Sequence, residues 1–343
     1  RPQATHDAGI WRIPDGDRIY AAELQSNTTI ILTADEIHAL GLSEVERIER
    51  EMVTILDAQG VQGATLAERI ANLSLDPAQN FPNTDAGRAE MIAYLHQIND
   101  RVMAAAPKFF QTIPPQPLEI VRVPEYSQDS SPGGYYNPPA LDGSRPGRFY
   151  INQKNTADNP KWTLPTLMIH EGAPGHHFQL SAQQLIKGVP MLRKVLPFSA
   201  YAEGWALYAE RVAKVDMGFY ESDPLGDLGR LQAEMFRAVR LVVDTGMHAR
   251  HWSREQAIEY MVAKTGMTEA EVTREIERYV VWPGQATSYK VGQLAMLRMR
   301  DEAQQALGPR FDLRAFHELI LMNGSMPLAV LEDVVREWVK TQQ

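Results

Sequence analysis

Apolar residues recur every three or four positions along most of this chain, and that spacing predicts amphipathic helices. Before residue 107, capping-box patterns, in which a Ser or Thr precedes a Glu by three positions, mark predicted helix starts at Thr33, Ser43 and Thr65. Thr84 precedes a longer amphipathic stretch that ends before Pro107. Residues 10–32 lack the spacing and predict a turn followed by extended or irregular chain.

Residues 107–161 are rich in Pro, Gly, Asn and aromatic residues. Leu118, Ile120 and Arg122 alternate as in a strand, residues 148–152 predict a second strand, and the stretch between them has loop chemistry. Two interpretations stay open for this segment. It is either a surface connection or a substrate-lining segment whose extended chain pairs with a peptide backbone.

From residue 162 onward the pattern is almost entirely helical, and the helix breakers stand between the periodic segments. No internal repeat or low-complexity tract interrupts it. The pattern therefore predicts a mainly α protein with a small β element. We interpret residues 1–343 as a single catalytic region, with a helical and loop subregion (1–161) and a helical subregion that carries the site (162–343).

Composition narrows the possible functions. The net charge of −9 and the absence of Lys/Arg runs argue against nucleic-acid binding, and no stretch approaches the roughly 20 apolar residues of a membrane span. Because the chain has no cysteine, any metal must be held by His, Asp or Glu. The sequence begins Arg1-Pro2-Gln3, without an initiator methionine, so we expect the C-terminal portion of a longer protein.

Three of the nine histidines fall within the eight residues 170–177, whose sequence is His-Glu-Gly-Ala-Pro-Gly-His-His. Adjacent His and Glu on a helix form the first half of the zincin motif, so His170 is a predicted ligand and Glu171 the predicted general base. Pro174 occupies the usual position of the second ligand. A local bulge could bring either His176 or His177 to the metal. We favour His177, two turns after His170. His176 is then the alternate ligand, or a residue that supports a ligand or faces the substrate.

Residues 201–210 offer the remaining ligand. Glu203 and Glu210 are seven positions apart on one helix face in an otherwise apolar stretch, where a carboxylate is costly unless it is paired or bound to metal. We predict Glu203 as the third ligand and Glu210 as the group that orients a ligand imidazole. The alternative for Glu210 is an exposed acid paired with Arg211 or Lys214. Three ligands and one open position predict a catalytic zinc site.

Three motifs in this chain resemble a bacterial family that is catalogued as a domain of unknown function and often described as lipoproteins. They are HExxPGHHxQ (170–179), EGWALYxE (203–210) and PGQAxSYKxG (283–292). The resemblance extends from about Gly9 to the C-terminus, and members are usually longer at the N-terminus. It implies a periplasmic, secreted or lipid-anchored bacterial protein that contacts the membrane only through a lost lipid anchor.

That family in turn resembles the mostly helical gluzincin peptidases, which implies a multi-helix gluzincin-like fold. In these peptidases the third ligand is a Glu about two dozen residues after the second His. Glu203 lies 26 residues after His177 and 27 after His176, so both fit and His177 fits slightly better. They also use a Tyr on a late helix to stabilise the oxyanion, and Tyr289 is the matching residue here.

We therefore expect a zinc-dependent metallopeptidase that acts on small peptides. A substrate carboxylate needs a cationic or polar partner, for which the candidates are Lys290, Arg278, Tyr279, His248 and Arg240. Lys290 is preferred because it adjoins Tyr289, although surface charge and helix packing are the alternatives for these residues. The competing functions are an amidase or esterase on a non-peptide substrate and a non-catalytic metal-binding lipoprotein domain. Glu171 argues against the latter, since a purely structural zinc site needs no adjacent base and is usually closed by four protein ligands.

Overall fold

The computed structural model describes residues 6–343, so residues 1–3, on which the expectation of a longer protein rests, lie outside the described residues. The fold is mainly α with one small sheet, as the sequence predicts. Its helices are, in chain order, α1 (Gly16–Thr28), α2 (Ala34–Ala58), α3 (Leu66–Leu75), α4 (Asp85–Ala105), α5 (Leu164–Glu171), α6 (His176–Leu185), α7 (Met191–Val195), α8 (Ser199–Val215), α9 (Pro224–Ala249), α10 (Arg254–Thr265), α11 (Glu269–Val281), α12 (Ser288–Leu307), α13 (Leu313–Asn323) and α14 (Leu328–Gln342). None of these described helices has the length and apolar character needed to span a membrane.

The sheet has three strands: β1 (Leu118–Arg122), β2 (Gly134–Asn137) and β3 (Gly147–Ile151). Their spatial order is β1-β3-β2, with β1 parallel and β2 antiparallel to the central strand. The predicted strands β1 and β3 are confirmed. The prediction of a loop between them is wrong for β2, whose two tyrosines pair with the central strand.

The chain divides into two compact units. Among the described residues, unit 1 contains those up to Leu73 together with Leu231–Gly292, and unit 2 contains Ser74–Arg230 and Gln293–Gln343. The boundary at residues 161 and 162 that the sequence suggests does not coincide with this division, because both residues lie in unit 2.

Unit 1 has a core in which α1, α2, α9 and α12 each contribute apolar side chains, namely Tyr20, Leu24, Ile37, Leu241 and Val291. The prediction of irregular chain over residues 10–32 is wrong, since α1 occupies much of that stretch. The capping box at Thr33 is confirmed, but the helix it starts continues past Ser43. The Ser43 hydroxyl donates to the Leu40 carbonyl within that helix, so it does not cap a new one.

Unit 2 contains the predicted metal stretch. Within it α5 packs against α4, α8 and β2, and α6 packs against α8 and α13. Fully enclosed apolar side chains fill these contacts, among them Met168, Ile169, Phe178 and Trp205. Buried apolar surface of this size is the main stabilising contribution in a helical core, so α5, α6 and α8 are firmly packed elements on which to place a site.

Candidate metal centre

The predicted metal stretch folds as two short helices joined by a tight turn. Helix α5 ends at Glu171 and α6 begins at His176, so Pro174 lies between helices. The amide of Gly175 donates to the Ile169 carbonyl. A Cβ atom on Gly175 would collide with the carbonyl oxygens of Ile169 and His170, so this turn requires glycine. The turn therefore brings the first residues of α6 close to the last residues of α5.

Three side chains from three helices converge at this turn. His170 from α5, His176 from α6 and Glu203 from α8 offer ligand atoms that all lie within 4.8 Å of one another. Oε2 of Glu203 lies 3.5 Å from Nε2 of His170 and 3.4 Å from Nε2 of His176. The two imidazole rings meet edge to face with centroids 4.8 Å apart. Two imidazoles and one carboxylate form a donor set that could hold a metal ion.

His170 is bounded by a carboxylate at each ring nitrogen. Its Nδ1 lies 2.7 Å from Oε1 of Glu210, which is enclosed by protein, so the Nδ1 proton is donated to that carboxylate. In the neutral imidazole, Nε2 then carries a lone pair and faces the Glu203 carboxylate. Two acceptors that face each other at 3.5 Å favour a cation between them. Glu210 therefore makes the contact that the sequence predicts for an orienting group.

The preference for His177 as the second ligand is corrected by the structure, which places the alternate residue, His176, in the cluster. The preference assumed a helical path of two turns from His170. The chain instead leaves α5 at Glu171 and restarts α6 at His176. Because consecutive helical residues point about 100° apart, only one histidine of the pair can face the cluster.

His177 points to the sheet, and both of its ring nitrogens are occupied. Nε2 lies 3.0 Å from the Gln116 carbonyl, which can only accept, so Nε2 carries the proton. Nδ1 must then accept the hydrogen bond from the Tyr136 hydroxyl at 2.8 Å. Burial lowers the pKa of His177 to about 4, and the bond to Gln116 offsets this only in part. The imidazole is therefore neutral at physiological pH.

Sequence reasoning did not single out Tyr136 or Gln116 as partners of the metal stretch. Tyr136 belongs to β2, whose residues have the Gly, Asn and Pro neighbours of a loop. The pair Tyr135-Tyr136 was the available signal, since adjacent aromatic residues favour a strand. Gln116 takes part through its backbone carbonyl, which no side-chain pattern can reveal.

Glu171 is the last residue of α5 and is largely buried. Among residues 6–343 its carboxylate has no hydrogen-bond or ion-pair partner. It directly follows His170, as the zincin pattern requires. Its assignment as a general base stays a prediction.

The charge state of Glu203 suits cation binding. Burial alone would raise the pKa of this carboxyl, but without a bound cation the imidazoles of His176 and His170, in their protonated forms, hold its pKa well below the usual range. The Glu203 side chain is 22% exposed, so the cluster is not sealed on its carboxylate side. An ionised carboxylate beside two imidazoles, with partial access to solvent, is consistent with a site that has an open position.

The candidate residues for binding a substrate carboxylate belong to unit 1, whereas the cluster belongs to unit 2. Two of these predictions are corrected. Lys290 is completely buried, and its ammonium lies 2.8 Å from Glu44 and 2.6 Å from Glu234. His248 is also completely buried, accepting from the Ile10 amide at Nδ1 and lying 3.0 Å from the Tyr279 carbonyl at Nε2. Internal partners hold both side chains inside unit 1.

Arg240, Arg278 and Tyr279 surround one carboxylate, that of Glu275, at donor–acceptor distances of 3.1, 2.9 and 2.6 Å. These contacts make the three residues an internal network of unit 1. Tyr289 is partly buried, with the Arg240 guanidinium 4.4 Å from its ring centroid. Its role as oxyanion donor stays a prediction.

Comparisons with known proteins agree with this fold. A solved structure described as a "putative lipoprotein" from Colwellia psychrerythraea matches with a TM-score of 0.97 and 45% identity, covering 99% of this chain and 58% of that one. A "putative lipoprotein of unknown function" from Shewanella oneidensis shares the fold, with a TM-score of 0.80, 20% identity and coverage of 98% and 60%. The chain thus spans less than two thirds of either structure.

No curated protein matches this chain. The profile of one family, described as "Bacterial protein of unknown function (DUF885)", matches residues 1–335. Since that match covers nearly the whole sequence, the chain belongs to this bacterial family of unknown function.

Proposed function

We propose that this protein is a zinc-dependent hydrolase of the metallopeptidase type. His170, His176 and Glu203 would hold the metal, and Glu171 would act as the general base. The observation that carries the proposal is the convergence of two imidazole nitrogens on one carboxylate oxygen, at 3.5 and 3.4 Å, where one of the imidazoles belongs to His170, the residue before Glu171. Atoms bound to a tetrahedral zinc at about 2.0–2.2 Å lie about 3.3–3.5 Å apart, so these distances fit the ion.

The donor set also favours zinc. Two imidazoles and one carboxylate are typical of catalytic zinc sites, which keep a fourth position open. Oxygen-rich sites suit magnesium and calcium, and this cluster offers one carboxylate only. When bound in such a site, zinc lowers the pKa of a water molecule toward neutrality and polarises a carbonyl group.

The remaining chemistry belongs to residues of this chain. Glu171 takes a proton from the attacking water and passes it to the leaving amine, a role that typically contributes about 10²–10⁴ in rate. Glu210 holds the Nδ1 proton of His170, and so keeps the Nε2 lone pair directed at the cluster. The partial exposure of Glu203 leaves the carboxylate side of the cluster accessible to solvent.

The test is metal analysis combined with a peptide-library digest followed by mass spectrometry. We expect one zinc per chain, cleavage of peptide bonds, and a roughly 10²–10⁴-fold loss of hydrolysis in Glu171→Gln with the zinc retained. Glu302→Gln changes an exposed glutamate of unit 2 and serves as the matched control. Wild-type protein without metal, cleavage of esters or non-peptide amides alone, or full activity in Glu171→Gln would overturn the proposal.

A further inference from the structure

The two histidines of the cluster differ in how they are held. His170 has its own orienting partner, since its Nδ1 proton is donated to Glu210. His176 has none within residues 6–343, because its Nδ1 is buried and lacks a hydrogen-bond partner. A ligand histidine almost always has such a partner, which fixes its ring orientation. The orientation of His176 must therefore be controlled in another way.

The neighbouring residue offers that control. His177 is bound at both ring nitrogens, by the Tyr136 hydroxyl and the Gln116 carbonyl. These partners lie in β2 and in the segment that precedes β1, so the sheet holds the first turn of α6. Since residues on a helix share one rigid backbone, fixing the His177 ring also fixes the rotation of α6 about its axis.

Strand β3 is shaped to admit this contact. A Cβ atom at Gly147 would collide with the Tyr136 hydroxyl and would lie 2.8 Å from Nδ1 of His177. Any larger residue at position 147 would separate the two groups or push α6 away from the sheet. The turn that precedes α6 is also held by Trp205, whose indole donates to the Pro174 carbonyl.

We infer that His177 is a positioning residue, and that Tyr136, the Gln116 carbonyl and Gly147 form with it a clamp that directs Nε2 of His176 at Glu203. The inference rests on the proposed metal site and names no new ligand. The clamp acts through helix rotation, so its loss weakens metal binding without removing a donor atom. Loss of an outer partner of a metal ligand typically lowers metal affinity about 10–100-fold.

The test measures zinc affinity by competition with a chromophoric chelator, together with the visible spectrum of the Co²⁺-substituted protein. Tyr136→Phe removes one oxygen and should raise the zinc Kd at least about tenfold, at unchanged stoichiometry and with an altered cobalt spectrum. Gly147→Ala should act in the same direction. Thermal melting of the metal-free protein checks that each variant is folded.

Matched controls lie in the same unit. Tyr208→Phe removes a hydroxyl from an equivalent pair, because Tyr208 donates to Nε2 of buried His317 at 2.8 Å. Gly133→Ala adds a Cβ whose nearest described neighbour is 3.5 Å away. Both controls should bind zinc with wild-type affinity and give the wild-type cobalt spectrum.

The outcomes separate the two proposals. A wild-type protein that binds no zinc overturns the proposed function. A wild-type protein that binds zinc, with unchanged affinity and spectrum in Tyr136→Phe and Gly147→Ala, overturns the positioning role alone. An equal loss of affinity in Tyr208→Phe would also overturn it, because the effect would then follow from general destabilisation.

Discussion

Nδ1 of His170 lies 2.7 Å from Oε1 of Glu210, and both side chains are almost completely enclosed. Glu210 is two helical turns beyond Glu203 on α8, so one helix places a carboxylate at each nitrogen of the same imidazole ring. The contact between α5 and α8 therefore determines both where His170 points and which nitrogen carries its proton. If the cluster holds a metal as proposed, α8 both supplies one ligand and orients another, and metal affinity then depends on core packing.

We expect Glu210→Ala to lower zinc affinity about 10–100-fold, because the His170 Nδ1 proton loses its acceptor and the ring its fixed tautomer. Chelator competition measures the change. Glu210→Gln should lose less, since an amide oxygen can still accept from Nδ1. Glu302→Ala is the matched control on an exposed helix surface of the same unit. A Glu210→Ala protein with wild-type affinity would show that the contact does not support the metal site.

The assignment of the second ligand leads to a separate prediction. His176→Ala removes a donor atom, whereas His177→Ala removes only the group that holds α6 to the sheet. We expect the affinity loss in His176→Ala to exceed that in His177→Ala by at least about tenfold. Zinc titration of both variants measures this difference. The reverse order would restore His177, the ligand preferred from the sequence.

Local sequence signals were sufficient to predict most of the helices. The capping box at Thr33 and the cap at Thr84 each begin a helix where the sequence places one, because the signal lies in three or four adjacent residues. The same local rule fails at Ser43, which has the residues of a capping box but lies inside α2. There the apolar face continues through Val45 into a buried contact, and tertiary packing outweighs the local signal.

The site was predictable in its chemistry and less so in its geometry. His170 and Glu203 follow from residue type and spacing and both join the cluster, and Glu210 makes the expected contact. The choice between two adjacent histidines depends on the direction in which the chain leaves the turn, and spacing does not encode it. The substrate-binding residues were chosen by charge and by nearness in sequence to Tyr289. That choice overlooked buried partners of opposite charge elsewhere in the chain.

Lys290 illustrates this last point and gives a prediction of its own. Because its ammonium is completely buried between Glu44 and Glu234, Lys290→Ala removes a cation that both carboxylates contact, although Arg47 remains beside them. Removing one partner of a buried ion pair typically destabilises a protein by about 3–5 kcal/mol. We expect denaturant unfolding to show that Lys290→Ala lowers the free energy of unfolding by about 3 kcal/mol. Lys340→Ala, at an exposed surface ion pair, should change stability by less than about 1 kcal/mol. A raised KM with unchanged stability would instead favour the substrate-binding role.

The stability of the fold at acid pH should depend on His317. This buried histidine of unit 2 has a hydrogen-bond partner at each ring nitrogen. Burial lowers its pKa to about 4, and hydrogen bonding to the Phe109 carbonyl offsets only part of that effect. The unfolded chain has the ordinary histidine pKa of about 6.5, so between pH 6.5 and 4 it binds a proton that the folded protein excludes. Stability contributed by the neutral ring is therefore complete above pH 6.5 and is lost as pH falls toward 4, by about 3 kcal/mol at pH 4.

Comparing denaturant unfolding of wild type and His317→Gln across this range isolates the effect. The variant should lose less stability on acidification, and parallel pH profiles would show that His317 does not exclude the proton.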